Sequence, residues 1–214
     1  MTAFTLKIIA LASMLIDHVG VFGGPDFFRL IGRLAFPIFV YLLAEGFRHT
    51  KSPEQFLARL LAFAVISEIP FDIAFNERID FFADTNIFYT LFLGGAAITV
   101  YRAMKKFHGE EIVAVFAALG FAWLAEIFGA DYGAFGVAFI FLMYVTPTKL
   151  RLATMAIMCI LGNSGVFILA ALASVLPVAF YNGNRGLKLK WLFYTAYPVH
   201  LLVLTFLDFL LRNG

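Results

Sequence analysis

The chain has 214 residues, of which 62% are hydrophobic and only 14% are charged, and its mean hydropathy is +0.90. Soluble domains carry about 25% charged residues, so this composition excludes a water-soluble globular protein and predicts an integral membrane protein. The formal net charge of +2 gives no indication of nucleic-acid binding, and the single cysteine, Cys159, excludes a disulfide framework.

Nine apolar segments follow one another along the chain, and most approach the roughly 20 residues that a spanning helix needs. Their residues are continuously apolar rather than alternating, which favours helices over the strands of a β-barrel. We therefore predict an all-α, polytopic transmembrane bundle of about nine membrane segments, within a range of about eight to ten, that forms one domain over residues 1–214. The segments are 3–22, 28–48, 55–75, 86–104, 110–128, 132–146, 149–161, 164–181 and 191–211.

Basic residues concentrate in every second predicted loop, whereas the third loop is mostly acidic. Because basic loops of membrane proteins stay in the cytoplasm, this alternation predicts a cytoplasmic N-terminus. The basic residues are Arg48, Lys51 and Arg59 in the second loop, Arg102, Lys105 and Lys106 in the fourth, Lys149 and Arg151 in the sixth, and Arg185, Lys188 and Lys190 in the eighth; the acidic residues of the third loop are Glu77, Asp80 and Asp84.

Ionisable side chains make the first segment the leading candidate for a functional site, because charged groups inside a membrane are usually kept for chemistry or transport. Eleven residues separate Lys7 from His18, which is about three helical turns and places both side chains on one stripe. Imidazole titrates near neutrality, so His18 suits a general base; a structural histidine bonded between helices is the alternative. Asp17 points away from His18 and is predicted to pair with a cation such as Arg33.

Two arginines open the second segment four residues apart, so that Arg29 and Arg33 share one helical face. Pro37 follows and is expected to kink the helix, while Gly32 permits close approach of a neighbour. Guanidinium groups that face a cavity bind phosphate, carboxylate or a developing oxyanion. We favour this functional role for Arg33, and snorkelling with an ion pair for Arg29.

Most other polar residues of the apolar segments fall in the predicted outer leaflet, which indicates a polar cavity that opens outward. Glu68 and Asp72 could bind an ammonium group or relay protons, but neutralising the two arginines is the favoured role. Packing is the favoured role of His200. There is no H-E-x-x-H spacing, and we predict no metal. The candidate substrate contacts are Glu68, Asp72, Asn86, Tyr89, Asp131, Tyr132 and His200.

A polar turn with two glycines, Tyr181–Gly186, precedes the last segment. Its Asn side chains, backbone N–H groups and Arg185 suit a phosphate group. On the predicted topology this turn lies on the cytoplasmic side, near Lys7. We therefore assign binding of a phosphate-containing donor to Lys7, Arg29, Asn182 and Arg185.

Seven strings follow one another along the chain in the order KIIALASMLIDHVG, RLIGRLAFPIFVYLLAEGFRHT, RLLAFAVISEIPFDIAF, NIFYTLFLGG, ADYGAFGV, YNGNRG and FYTAYPVHLL. Together they resemble the TraX family, and the resemblance covers nearly the whole chain. It implies a bacterial inner-membrane protein associated with N-terminal acetylation of conjugative pilin. The spacing of Lys7 and His18 also resembles the basic-x10-His signature of acyltransferase-3 and heparan-α-glucosaminide acetyltransferase-like proteins, which implies an essential His18 and cytoplasmic acetyl-CoA.

We therefore expect a membrane acetyltransferase that moves an acetyl group from acetyl-CoA to an amine or hydroxyl outside the membrane. His18 would be the general base, Arg33 would stabilise the oxyanion, and Asp17 would hold Arg33. Pilin, a glycan or a lipid could be the acceptor. A proton- or ion-coupled small-molecule transporter and a non-catalytic assembly factor are the two other candidate functions.

Overall fold

The computed structural model describes residues 1–76, 79–82, 84–105 and 111–213, and throughout these ranges the regular structure is helical. The all-α prediction is thus confirmed, while Glu77 and Lys106 of the loop-charge argument lie outside the described residues. The helices are α1 (Ala3–Val21), α2 (Phe28–Gly32), α3 (Ala35–His49), α4 (Pro53–Phe75), α5 (Ile87–Met104), α6 (Glu111–Ile127), α7 (Gly133–Val145), α8 (Arg151–Leu161), α9 (Val166–Leu172), α10 (Val175–Ala179) and α11 (Lys190–Asn213), with a 3₁₀ turn at Thr148–Leu150.

Each predicted apolar segment coincides with one helix or with two consecutive helices. The second segment contains α2 and α3, and the eighth contains α9 and α10. Among the residues that the structure describes, four helical stretches are long and apolar enough to cross a membrane, which supports a membrane protein. How many segments span the membrane, and on which side the N-terminus lies, stay predictions. These stretches are Ala3–Val21, Phe28–His49, Ile87–Met104 and Lys190–Arg212.

The break between α2 and α3 falls where the proline predicts a kink. Pro37 has no N–H to donate to the carbonyl of Arg33, and its ring crowds that carbonyl. Accordingly α2 ends one residue before Arg33, and the chain passes through a short turn before α3 begins. Pro177 stands in the same relation to Ala173, and α9 ends one residue before it, at Leu172. Both interruptions thus lie four residues before a proline, whereas Pro70 and Pro198 are accommodated inside α4 and α11.

The chain divides into two compact units. The first unit consists of Met1–Leu42, Ile73–Phe75 and Pro147–Gly214, and the second unit consists of Leu43–Asp72 and Asn76–Thr146. The first unit thus contains α1, α2 and α8 to α11, and the second contains α5, α6, α7 and most of α4. The single domain expected over residues 1–214 stays a prediction.

Small residues allow the helices of the second unit to approach closely. A Cβ added to Gly94 of α5 would lie 2.6 Å from Cδ1 of Ile140 on α7, so only glycine fits this contact. Beside it, Leu93 of α5 packs with Ala125 of α6 and Val137 of α7. Such small-residue packing is typical of helices in membranes, where lipid contributes no hydrophobic force between them.

Candidate functional site

The first unit joins two histidines from opposite ends of the sequence. Nδ1 of His18, on α1, lies 2.5 Å from Nε2 of His200, on α11. The two imidazole planes differ by only 6°, and the ring centroids are 4.8 Å apart. That separation is about the N–N distance plus one ring radius on each side, so the rings lie end to end in one plane. The contact is therefore an in-line hydrogen bond rather than a face-to-face stack.

Aromatic rings and a backbone carbonyl fix the histidine pair. The Tyr197 ring lies 6.2 Å from that of His18 and 5.5 Å from that of His200, steeply inclined to both, and Phe75 lies 5.8 Å from His18. Nδ1 of His200 is 2.8 Å from the carbonyl oxygen of Ala196, one turn earlier on α11. Over the part of the chain that the structure describes, Nε2 of His18 has no hydrogen-bond partner.

Asp17 forms an ion pair with Arg29, at 2.5 Å between Oδ2 and Nη1. The prediction that Asp17 pairs with Arg33 is therefore wrong. Arg29 reaches it because α1 carries Gly20 one turn beyond Asp17, and the Cδ of Arg29 lies 3.4 Å from the place a Cβ at Gly20 would take. The aliphatic stem of Arg29 thus packs on α1 and directs its guanidinium toward the carboxylate. The predicted ion pair of Arg29 is confirmed.

Gly32 determines how closely α2 approaches α1. A Cβ added at position 32 would overlap Oδ1, Cβ and Cγ of Asp17, so the Asp17 side chain occupies the space that any larger residue would need. Gly32 itself is buried. The close approach that the sequence predicts at Gly32 is thus confirmed, and the group that approaches Gly32 is the side chain of Asp17.

Arg33 has a different environment from Arg29. Its guanidinium carbon lies 5.0 Å from the centre of the Phe167 ring on α9, a cation–π contact. Its Nε is buried and has no hydrogen-bond partner among the described residues. The two arginines thus differ in their contacts, although the charges of both act on the carboxylate of Asp17. Arg33 keeps hydrogen-bonding capacity for another group.

The predicted donor residues meet at the beginning of α1, except for Arg29. Ala3 donates its N–H to the carbonyl of Asn184, and Asn182 donates its N–H to the carbonyl of Met1, so the 182–185 turn is tied to the N-terminal residues. Lys7 lies one turn further along α1, its Nζ 5.2 Å from the Phe193 ring. The charges of Lys7 and Arg185 interact electrostatically. Both are cationic, as a phosphate site requires.

Arg29 does not belong to this donor group. It packs on Gly20, thirteen residues beyond Lys7 on α1, which corresponds to about 20 Å along a helix. Asn182 is also partly engaged, because its Oδ1 accepts the N–H of Asn184 at 3.0 Å in an Asx turn. Arg29 was included among the donor residues because the sequence alone does not show which end of α1 lies beside the 182–185 turn.

In the second unit, Glu68 is bound by an amide. Its side chain is 0% exposed, and its Oε2 accepts hydrogen bonds from the backbone N–H and the Nδ2 of Asn86. Nδ2 of Asn86 also donates to the carbonyl of Ala64, and its Oδ1 caps α5 at Phe88. Within the described ranges, Oε1 of Glu68 and Oγ of the adjacent Ser67 have no partner. Sequence analysis missed Ser67, a lone hydroxyl in an apolar run.

Asp72 is likewise held by nitrogen donors that are not cations. Oδ1 accepts from Nδ2 of Asn76 at 2.7 Å, and Oδ2 accepts from the backbone N–H of Asp80 at 2.8 Å. The prediction that Glu68 and Asp72 neutralise the two arginines is therefore wrong. Both carboxylates bind amide groups, and Arg29 pairs with Asp17 instead. The partner Asn76, missed in the sequence, lies four residues after Asp72, a spacing at which side chains meet on a helix.

The remaining predicted substrate residues lie near the beginning of α5 and α7. The Tyr89 hydroxyl donates to the carbonyl of Phe81 at 3.4 Å. The backbone of Asp131 is tied to that of Thr85 by a bond of 2.9 Å from its N–H. Tyr132 has a φ of 67°, a left-handed conformation that costs a non-glycine residue energy. The second unit thus brings Asn86, Tyr89 and Asp131 to one end of α5, as expected for residues predicted in one leaflet.

Comparison with known proteins identifies relatives over most of the chain. The family model described as TraX protein matches residues 3–208. The chain is 29% identical to the probable fimbrial assembly protein FimC, serogroup H1, of Dichelobacter nodosus, over 95% of this chain and 94% of that protein. It is 30% identical to an uncharacterized protein of Rickettsia prowazekii (strain Madrid E), over 89% of this chain and 74% of that protein. No solved structure matches. The chain belongs to the TraX family.

Proposed function

We propose that this protein is an acetyltransferase of the bacterial inner membrane and that His18 is its general base. The observation that carries the proposal is the in-line bond between His18 and His200, which leaves Nε2 of a half-buried imidazole without a partner among the described residues. A base needs a free lone pair, a fixed direction and a protected environment. The aromatic contacts of Tyr197 and Phe75 support the last two requirements.

The reaction transfers an acetyl group from acetyl-CoA to an amine or hydroxyl. Nε2 of His18 removes the proton of the acceptor as its nitrogen or oxygen attacks the thioester carbonyl. The resulting tetrahedral oxyanion is stabilised by Arg33, whose buried Nε has a free N–H. The C–S bond then breaks, and the proton on His18 passes to the leaving thiolate. Asp17 positions α2 through Arg29 instead of contacting Arg33 directly.

The two substrates bind at different places in this proposal. Lys7, Asn182 and Arg185 bind the phosphate groups of acetyl-CoA on the cytoplasmic side, where Arg185 of the tied 182–185 turn and Lys7 of α1 provide two cationic side chains. The acceptor is an envelope component. Pilin is supported by the similarity to the probable fimbrial assembly protein of Dichelobacter nodosus, and a glycan or a lipid is the alternative.

The test is acetyl transfer by purified protein in lipid nanodiscs with radiolabelled acetyl-CoA. The readouts are release of free CoA and label on pilin or on extracted envelope glycans and lipids. His18→Ala should lower the rate by about 100-fold or more, the usual contribution of a general base. His49→Ala is the matched control, because that ring lies at the end of α3 and pairs with Glu45. Wild-type transfer by His18→Ala would overturn the proposal.

The buried carboxylates of the second unit favour a second candidate, a proton- or ion-coupled transporter. Glu68 and Asp72 are 0% and 1% exposed and are bound by amides instead of cations, as carboxylates that exchange protons or cations would be. Proteoliposomes without acetyl-CoA distinguish the two functions. Proton or substrate flux that is abolished by Glu68→Gln would favour the transporter, and its absence would favour the acetyltransferase.

A further inference from the structure

We propose that His200 is a positioning residue for His18 and that the carbonyl of Ala196 selects the tautomer of both histidines. The inference rests on the proposed function for its catalytic consequence, while the tautomer itself is a property of the resting protein. It assigns His200 a role that differs from packing and from substrate contact.

The hydrogen-bond chain leaves one consistent arrangement of protons for neutral rings. A carbonyl oxygen only accepts, so Nδ1 of His200 carries a proton that it donates to Ala196. A neutral imidazole has one N–H, and Nε2 of His200 is therefore an acceptor. Nδ1 of His18 must then be the donor in the bond between the rings. The single proton of His18 is thus on Nδ1, and its lone pair is on Nε2.

The surroundings keep both rings neutral at rest. An N–H···N bond between two imidazoles needs one acceptor nitrogen, so both rings cannot be protonated together. His200 is only 9% exposed, and the rings of Tyr197 and Phe75 around the pair offer no compensating anion. An imidazolium in such an environment pays a large desolvation cost. The neutral pair is therefore the state with the free Nε2.

This arrangement helps His18 at the moment when it accepts a proton. Protonation of Nε2 makes His18 an imidazolium, and its Nδ1–H bond to the neutral Nε2 of His200 becomes charge-assisted and stronger. Because the two rings share a plane, His200 also fixes the direction of the Nε2 lone pair. When the proton moves from Nε2 to the thiolate of CoA, the pair returns to its original tautomers. His200 acts through His18 and contacts neither substrate.

Nitrogen NMR tests the tautomer without any activity measurement. The sequence has four histidines, so ¹⁵N-histidine labelling of the full chain in nanodiscs gives a small set of ring signals that single substitutions assign. We expect His18 to have a protonated Nδ1 and a bare Nε2. In His200→Ala the proton should move to Nε2, because no acceptor then faces Nδ1. A wild-type His18 with its proton on Nε2 would overturn the inference.

Three replacements of His200 separate positioning from packing. His200→Phe keeps the aromatic contact with Tyr197 but has no acceptor, and its kcat should fall about 100-fold with the KM for acetyl-CoA unchanged. His200→Ala should behave in the same way. His200→Gln restores an acceptor oxygen and should recover most of kcat. A His200→Phe variant with wild-type kcat would overturn positioning. Absence of acetyl transfer by the wild-type protein would end the proposed function, while the NMR result still decides the tautomer.

Discussion

Asp17 in the first unit is held by a guanidinium, whereas Glu68 in the second unit is held by an amide. The ion pair with Arg29 cancels the charge of Asp17, and it does so where both side chains still reach solvent, at 19% and 35% exposure. Asn86 supplies two hydrogen bonds to Glu68 but no opposite charge, and Glu68 is 0% exposed. Burial of a carboxylate without a cation costs desolvation free energy unless the carboxylate takes up a proton.

The difference between the two carboxylates bears on His18, because Arg29 neutralises the charge of Asp17 next to it. Asp17 is adjacent to His18 in the sequence, and an unpaired carboxylate there would favour the imidazolium, which is not a base. Arg29 removes that effect. In the second unit, among the described residues, the carboxylates of Glu68 and Asp72 are bound by amide groups and not by cations.

The largest expected effect is on the α1–α2 contact that holds Asp17. Gly32→Ala places a methyl group where the Asp17 side chain lies, so the helices must separate and the ion pair with Arg29 must break. We expect a loss of about 3 kcal/mol in the free energy of unfolding, at the upper end of the usual cost of overpacking. Unfolding of the protein in mixed micelles, followed by circular dichroism, measures this loss.

A matched glycine on α6 provides the control. A Cβ added to Gly120 would have no atom within 4 Å, so Gly120→Ala should leave stability unchanged or raise it by up to about 1 kcal/mol through better helix propensity. Equal stability of the two variants would show that α1 and α2 do not approach as closely as described. It would also remove the structural reason for the pairing of Asp17 with Arg29.

Glu68 gives an intermediate effect that depends on the replacement. Glu68→Ala leaves the backbone N–H and Nδ2 of Asn86 without their acceptor and opens a cavity, so we expect a loss of about 2 to 3 kcal/mol. Glu68→Gln keeps the shape and an acceptor oxygen without the charge, and it should cost less than about 1 kcal/mol. The same unfolding measurement in mixed micelles compares the two.

The pair of variants tests whether the second unit needs the charge of Glu68. If Glu68→Gln is as destabilising as Glu68→Ala, a negative charge at this position is required, and a cation binds it in the folded protein. If Glu68→Gln is tolerated, the amide of Asn86 suffices. The adjacent Ser67→Ala, which removes a buried hydroxyl without a partner among the described residues, should be neutral or stabilising.

The sequence predicted features that depend on neighbouring residues and failed for those that depend on packing. The lengths of the apolar runs predicted nine segments, and these segments are helical in the structure. The missing N–H of Pro37 predicted a kink, and the break after α2 lies there. The predicted partner of Asp17 was Arg33 instead of Arg29 because the sequence does not show that the stem of Arg29 packs on Gly20 of α1. The bond between His18 and His200 joins residues 182 apart, and no local pattern relates the first segment to the last.

The smallest effect is expected for the ion pair between Asp17 and Arg29 itself. Because the Arg29 side chain is 35% exposed, water screens the pair, and we expect a coupling energy of about 1 kcal/mol. A double-mutant cycle with Asp17→Asn and Arg29→Gln isolates it. Arg33→Gln in place of Arg29→Gln is the comparison and should show a smaller coupling with Asp17→Asn, because the Arg33 charge acts on Asp17 without a hydrogen bond to it. A larger coupling to Arg33 than to Arg29 would restore the pairing expected from the sequence. It would also remove the reason for separating a charge-balancing arginine from one that serves an oxyanion.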